Sequence, residues 1–248
     1  MFKIELHVHT CFSPDSNMRL SWLYSKASSC GIDCIAVTDH NTIDGAVAFR
    51  EYCEARGDRI KVIVGEEVMT SHGEIIGLFL SRNIPGGMSP EETIMDIKSQ
   101  GGVVYIPHPY DEKRYRTVLD EVYIDAYRDA IDCIEVHNGR NICSYYADMQ
   151  EKIANKYNIC KVIGSDAHTV FELGRNVIYV RQLPVTAEIF KDVIQKSISE
   201  RSSCIRWMHA WTAVERVIKC AIRRDFYGMY RLVYRKAGRI VSRFFQSG

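Results

Sequence analysis

No stretch of this 248-residue sequence approaches the roughly 18 uninterrupted apolar residues that a membrane-spanning helix requires. Internal repeats and low-complexity segments are absent, which sets aside repeat architectures. There is no Gly-x-Ser-x-Gly nucleophile elbow and no P-loop. Serine acyl transfer and P-loop phosphate binding therefore have no motif to rest on. No Cys-x-x-Cys pair occurs among the nine cysteines, Cys11, Cys30, Cys34, Cys53, Cys133, Cys143, Cys160, Cys204 and Cys220. Their odd number fits a reducing, cytosolic compartment, as does a chain that opens on a strand-like segment, Phe2–Leu6, in place of a signal peptide. Most of the cysteines read as small apolar side chains. Net charge is also nearly missing: the formal value is +1, which names no partner.

What is present is an ordinary globular composition, 46% hydrophobic and 25% charged. The length suits one α/β barrel, a class that runs to roughly 200–250 residues as a single domain. The charge is unevenly spread. Residues 201–248 hold eleven Lys/Arg against two acids, Glu215 and Asp225, a local +9 that leaves about −8 for the first 200. This pattern predicts a catalytic body over 1–200 and a basic, aromatic-rich helical extension over 201–248.

Short apolar runs alternate with helical patterns along the body. Strands are predicted at Phe2–Leu6, Asp33–Val37, Ile60–Val64, Glu74–Leu80, Val103–Ile106, Ile131–Val136, Cys160–Ile163 and Val177–Val180. Helices are predicted at Leu20–Cys30, Thr42–Arg56, from Ser89-Pro90 to Gly101, near 115–130 and 143–157, and at Thr186–Ser199. Strand and helix in alternation argue for parallel βαβ units in one sheet or barrel. Catalytic groups in such folds gather at the C-terminal strand ends. Those ends read His7-Val-His9, Thr38-Asp39-His40, Gly65-Glu66-Glu67, His108-Pro109, Val136-His137-Asn138 and Ser165-Asp166-Ala167-His168.

His7 and His9 are two apart, so on a strand both imidazoles point to one face and reach one ion. Asp166 and His168 repeat that spacing, and Asp15 follows in a turn. Imidazole and carboxylate suit zinc, iron or manganese, and a carboxylate bridges two ions. Nine such groups exceed one tetrahedral ion and imply two or three ions in a shared pocket. Multi-metal pockets suit phosphate-ester hydrolysis by a metal-activated water, with no side-chain nucleophile.

These residues resemble the PHP family, the polymerase and histidinol phosphatase superfamily. The likeness runs from Phe2 to about Val180. It rests on Leu6-His-Val-His-Thr10 with Ser13-Pro-Asp15, Val37-Thr-Asp-His40-Asn, Gly65-Glu-Glu67-Val, His108-Pro109, Ile134-Glu-Val-His-Asn138 and Gly164-Ser-Asp-Ala-His-Thr169. The resemblance implies a distorted seven-stranded (β/α)7 TIM-like barrel, a trinuclear metal centre and phosphoesterase chemistry. It implies that His7, His9, Glu67 and Asp166 hold one ion. Glu67 would bridge to a second ion that also takes His108, and Asp15, His40 and His168 would hold the third. Glu67 is preferred to Glu66 because the family motif reads glycine, any residue, glutamate. Glu74 stands where many members have a histidine. As an oxygen ligand it would favour a harder ion, and it would also suit a catalytically weak metal-binding module. His72 lies two residues before that position, and His137 falls where a ligand is not expected.

Catalysis is expected to depend on Asp166, His168 and a phosphate-binding arginine, with Arg140 foremost and Arg114 and Arg175 as alternatives. The expected substrate is a nucleotide, an oligonucleotide or a small phosphorylated metabolite. In the extension, Trp207, Trp211, Val214, Ile218 and Ile222 recur at helical spacing among Arg206, Arg216, Lys219, Arg223 and Arg224. Phe226, Tyr227, Tyr230, Tyr234, Phe244 and Phe245 follow, with Gly228 and Gly238 as interruptions. The stripe fits a helix covering the barrel wall with its apolar face. A membrane-surface contact, peripheral to a cytoplasmic protein, and a nucleic-acid contact are the other readings of the same residues.

Overall fold

The computed structural model describes residues 1–225 apart from Asp58, Tyr115 and Arg223. The aromatic run from Phe226 to Phe245, with Gly228 and Gly238, lies outside the described residues. So do the side chains of Arg206 and Ile222.

Seven strands form the barrel: β1 (Phe2–Val8), β2 (Cys34–Val37), β3 (Lys61–Thr70), β4 (Gly73–Leu78), β5 (Val103–Ile106), β6 (Cys133–Asn138) and β7 (Cys160–Gly164). They are hydrogen-bonded in chain order. The ring closes where the chain beyond β7 returns to β1. There Val8 and Ala167 pair in parallel, and the His9 N–H donates to the Ala167 carbonyl at 2.9 Å. The helices are α1 (Leu20–Ser29), α2 (Asp44–Glu54), α3 (Pro90–Ser99), α4 (Glu121–Tyr127) and α5 (Ser144–Tyr157). β8 (Val177–Val180) runs antiparallel along the first half of β1, and α6 (Ala187–Ile194) follows it. β9 (Ile198–Glu200) pairs with β8, and α7 (Arg206–Ile222) is the last described element.

β2 and β5 are buried on both faces and read as continuous apolar runs, whereas β1 alternates and buries Glu5 and His7 on one side and Ile4, Leu6 and Val8 on the other. Ile4, Leu6, Ile35, Ile76 and Tyr105 are fully buried in the core, and Phe49 and Phe190 add α2 and α6 to it. At the start of α3 the Ser89 side chain accepts from the Glu92 N–H while Glu92 accepts from the Ser89 N–H. Together with Pro90 this fixes the helix start that the sequence predicts, a contribution of about 1 kcal/mol.

Three expectations are corrected. β4 is antiparallel to both β3 and β5, so one barrel strand is reversed. Ser71 and His72 alone link β3 to β4, far too short for a parallel crossover. Gly73 takes φ 118° at that turn, and a Cβ there would meet the Leu119 backbone at 2.5 Å, so only glycine fits. The helix predicted over Thr186–Ser199 stops at Ile194. Its apolar stripe (Ala187, Phe190, Val193, Ile194) is spent there, and residues 198–200 satisfy the edge of β8 instead. The stripe of α7 does not cover the barrel wall. Met208, Thr212 and Lys219 are buried against the body, and Trp207, Trp211, Val214 and Ile218 face outward. No helix among the described residues is long and apolar enough to cross a membrane.

Candidate metal centre

His7 and His9 project from the end of β1 into the barrel mouth, both fully buried, with their Nε2 atoms 3.1 Å apart. The His7 Nδ1 lies 3.1 Å from Glu135 Oε1, and the His9 Nδ1 3.0 Å from the Ser13 hydroxyl. A carboxylate only accepts, so the neutral His7 ring carries its proton on Nδ1 and presents the Nε2 lone pair to the cavity.

Glu67, on β3, is central. Its Oε1 lies 3.4 Å from His7 Nε2 and 3.2 Å from His108 Nε2. Its Oε2 lies 3.3 Å from His9 Nε2 and 3.1 Å from His40 Nδ1. Asp166 Oδ1 is 3.4 Å from both His9 Nε2 and His168 Nδ1. Asp15 Oδ2 is 3.2 Å from His168 Nε2 and 3.4 Å from His40 Nε2. Glu74 reaches His108 Nε2 at 3.4 Å and His40 Nδ1 at 3.6 Å. Asp166 and His108 sit at φ 51° and 29°, a left-handed backbone that costs energy in non-glycine residues and turns both side chains into the mouth.

Three groups of ligand atoms each lie within 4.8 Å of one another: His9, Asp15, His40 and His168; His7, His9 and Asp166; and His40, Glu67 and Glu74. All nine residues predicted as ligands therefore meet at one end of the barrel. The grouping differs from the expected one: Glu67 is not grouped with His7, His9 and Asp166, His9 joins Asp15, His40 and His168, and the second group is the most changed. There His40 joins Glu67 and Glu74, with His108 alongside, 3.2 Å from Glu67.

The electrostatics follow from crowding. Burial opposes charge on His7, but Glu67, Asp166 and Glu135 outweigh it and hold its pKa well above the ordinary value. Burial and the neighbouring His168 push His9 down to about 4. For His40, Glu67 and Asp15 overcome burial and raise the pKa to about 10. Burial works against the charge on Glu67, yet His7 and His40 keep it well below the carboxylate range. Arg114 and His7 do the same for Asp166. Among the described residues, Asp15 Oδ1 and His108 Nδ1 are buried without a hydrogen-bond partner. Four buried carboxylates facing five imidazoles, with an orphaned carboxylate oxygen, are the donor set of a divalent-cation site.

The remaining predicted residues divide. Arg114 donates to Asp166 Oδ2 at 2.7 Å. Arg140 is buried, 3.3 Å from Glu172 Oε1 and bonded to the Thr212 hydroxyl at 2.6 Å. Both line a cleft of about 550 Å³ over the cluster, with Lys113, Arg116 and Arg216. Arg175 lies away from it, donating to the Ser203 carbonyl at 3.3 Å. His137 meets Asn176 and the Ser202 carbonyl, and His72 meets Ser71 and Tyr123. Glu66 turns to the opposite side and accepts from the Ile84 N–H.

The sequence pattern of the PHP domain matches residues 5–227. The chain belongs to the PHP domain family. This PHP domain is 45% identical over 118 residues to the uncharacterized protein MJ1587 of Methanocaldococcus jannaschii, covering 44% of this chain and 68% of that one. It is 31% identical over 190 residues to MJ0417 of the same organism, covering 74% and 72%. A two-domain protein of Bacteroides vulgatus containing a predicted PHP-like metal-dependent phosphoesterase superposes with TM-score 0.65 at 20% identity, over 81% of this chain and 64% of that one. PsfC of Pseudomonas syringae gives 0.64 at 18%, over 87% and 97%. These structures share the barrel fold.

Two features of this PHP domain escape a reading of its sequence. Glu135, buried on β6, accepts from Tyr105 Oη, from the His108 N–H at 2.7 Å and from Asn138 Nδ2 at 2.8 Å, besides facing His7. Its signal is an acid between Ile134 and Val136 on an otherwise apolar strand. Arg216, from α7, donates to Asp15 Oδ2. Nothing in the sequence joins positions 201 residues apart.

Proposed function

We propose that this PHP domain hydrolyses a phosphate monoester or diester with two or three divalent ions held by His7, His9, Asp15, His40, Glu67, Glu74, His108, Asp166 and His168. The observation that carries the reading is Glu67, whose two oxygens face four imidazoles at 3.1–3.4 Å. Carboxylate oxygens so placed suit bridging. The oxygen of Glu74 adds a preference for manganese or iron over zinc. Bound ions supply an acidified water and a positive clamp on phosphoryl oxygens.

The chain's own residues do the rest. Glu135 orients His7, and Arg114 holds Asp166 in place. Arg140 and Arg216 lie beside the cluster, where their guanidinium groups suit the non-bridging oxygens of a phosphoryl group. Burial at the foot of a cleft keeps bulk water from the reacting centre. The cationic walls favour an anionic substrate, a nucleotide, an oligonucleotide or a small phosphorylated metabolite.

Purified protein loaded with Mn²⁺ should hydrolyse an aryl phosphate or a bis-aryl phosphodiester, and His9→Ala should abolish the rate. Elemental analysis should return two or three ions per chain. Metal-loaded protein that is inert on a panel of mono- and diesters and nucleotides would leave a metal-binding module of the same fold, and the enzyme reading fails.

A further inference from the structure

The helix α7 sits the wrong way round for a helix on a globular body. Lys219 donates to the carbonyls of Cys11 at 2.7 Å and Ser16 at 2.8 Å, and also to that of Ser13. Arg216 reaches Asp15, and Thr212 holds Arg140. Its attachment is therefore mainly polar, with Met208 as the buried apolar side chain among the described residues. The apolar face is left over, with Trp207 57%, Trp211 48%, Val214 50% and Ile218 47% exposed. Spacings of four, three and four residues put them on one face along about three turns. Phe171, 59% exposed, extends the patch with its ring 6.1 Å from that of Trp207.

We infer that this face docks on the surface of a bilayer containing anionic phospholipid. Three observations select that partner. Val214 and Ile218 are aliphatic and suit acyl chains, whereas a nucleic acid would use aromatic stacking and cations on the same face. Lys219 is buried, and Arg216, half-exposed at the cleft, is paired with Asp15 on the opposite side of the helix, so neither places its charge on this face. The sequence after the helix, residues 226–248, carries Arg231, Arg235, Lys236, Arg239 and Arg243 and no acid, a composition complementary to an anionic leaflet. A second copy of the chain fits less well. Aromatic side chains bury roughly 150–250 Å² each, and a half-exposed patch of five side chains falls short of the ~800 Å² per partner of a stable dimer. Thr212, Ala213 and Arg216 form one wall of the cleft, so docking brings the mouth of the metal centre close to the bilayer.

The test is co-sedimentation of the full chain with phosphatidylcholine vesicles, with and without phosphatidylglycerol. Binding should require the anionic lipid and weaken about tenfold or more in Trp211→Ser/Ile218→Ser. Both residues are exposed, so the melting temperature should be unchanged, which separates lost docking from lost fold. Failure to sediment with anionic vesicles overturns the inference. So does equal binding by the double variant, tighter binding to a single-stranded oligonucleotide than to vesicles, or a dimer in sedimentation velocity that the double variant dissolves.

Discussion

Replacing Glu135 with glutamine tests whether a residue that touches no ion governs how ions are held. The wild-type carboxylate accepts four donors: Tyr105 Oη, His7 Nδ1, the His108 N–H and Asn138 Nδ2. An amide keeps one oxygen. Whichever way it turns, an NH₂ then faces two of the four donors. Each lost bond to a charged acceptor is worth about 1.5–3 kcal/mol, so the fold should lose roughly 3–6 kcal/mol before relaxation. His7 has one escape. It can accept from the amide at Nδ1, but its proton then moves to Nε2 and the lone pair offered to the cavity is gone. Removing such a partner costs about 10–100-fold in metal affinity, or roughly 1.4–2.7 kcal/mol. Chelator competition for Mn²⁺ measures the affinity, and urea melts of the metal-free protein measure the stability. Glu135→Ala should weaken Mn²⁺ at least as much. If both variants fold and bind Mn²⁺ within about twofold of wild type, the assignment of Glu135 as the residue that orients His7 is refuted.

Glu74→Ala should lower the metal content by one ion per chain, and Glu74→His should restore it; full content in the alanine variant would remove Glu74 from the ligands. Gly45→Ala would set a Cβ 1.9 Å from Asp39 Oδ2, the carboxylate that accepts from the Thr10 N–H and hydroxyl at 2.6 Å. Overpacking of that kind costs about 1–3 kcal/mol, so calorimetry should show a fall of several degrees. Burial pushes the Cys34 thiol up to about 12, so at pH 8 it should resist a disulfide reagent that labels exposed Cys143. The folded chain holds that proton more tightly than the unfolded one. The stability it contributes is thus present below pH ~9 and lost as pH rises toward 12, by roughly 4 kcal/mol over the interval.

The strand ends were legible because each carries its candidate ligands within two or three residues of an apolar run. His7-Val-His9 and Asp166-Ala-His168 announce both chemistry and position. The capping residues Ser89 and Glu92 were legible for the same local reason. The direction of β4 was not, since a strand buried on both faces has no pattern that distinguishes parallel from antiparallel neighbours. The part of α7 in the site was hidden differently. Its amphipathic spacing was visible, but which face turns inward is decided by Asp15 and by the carbonyls of residues 11–16, far away in sequence. Arg175 misled because proximity along the chain to His168 is not proximity in space.

The pairing of Val8 with Ala167 does more than complete a ring. It sets the earliest ligands, His7 and His9, beside the latest, Asp166 and His168, and the Ser16 hydroxyl ties the seam by donating to the His168 carbonyl at 2.8 Å across 152 residues. Four of the nine candidate ligands therefore take up their mutual positions only when the two ends of the barrel sequence meet. A chain ended before Asp166 would keep the group formed by His40, Glu67 and Glu74 but would leave His7 and His9 without the carboxylate that faces them across the seam. Completion of the full cluster is thus tied to closure of the ring between Val8 and Ala167, a long loop whose ends must meet before the first and last candidate ligands can share a site.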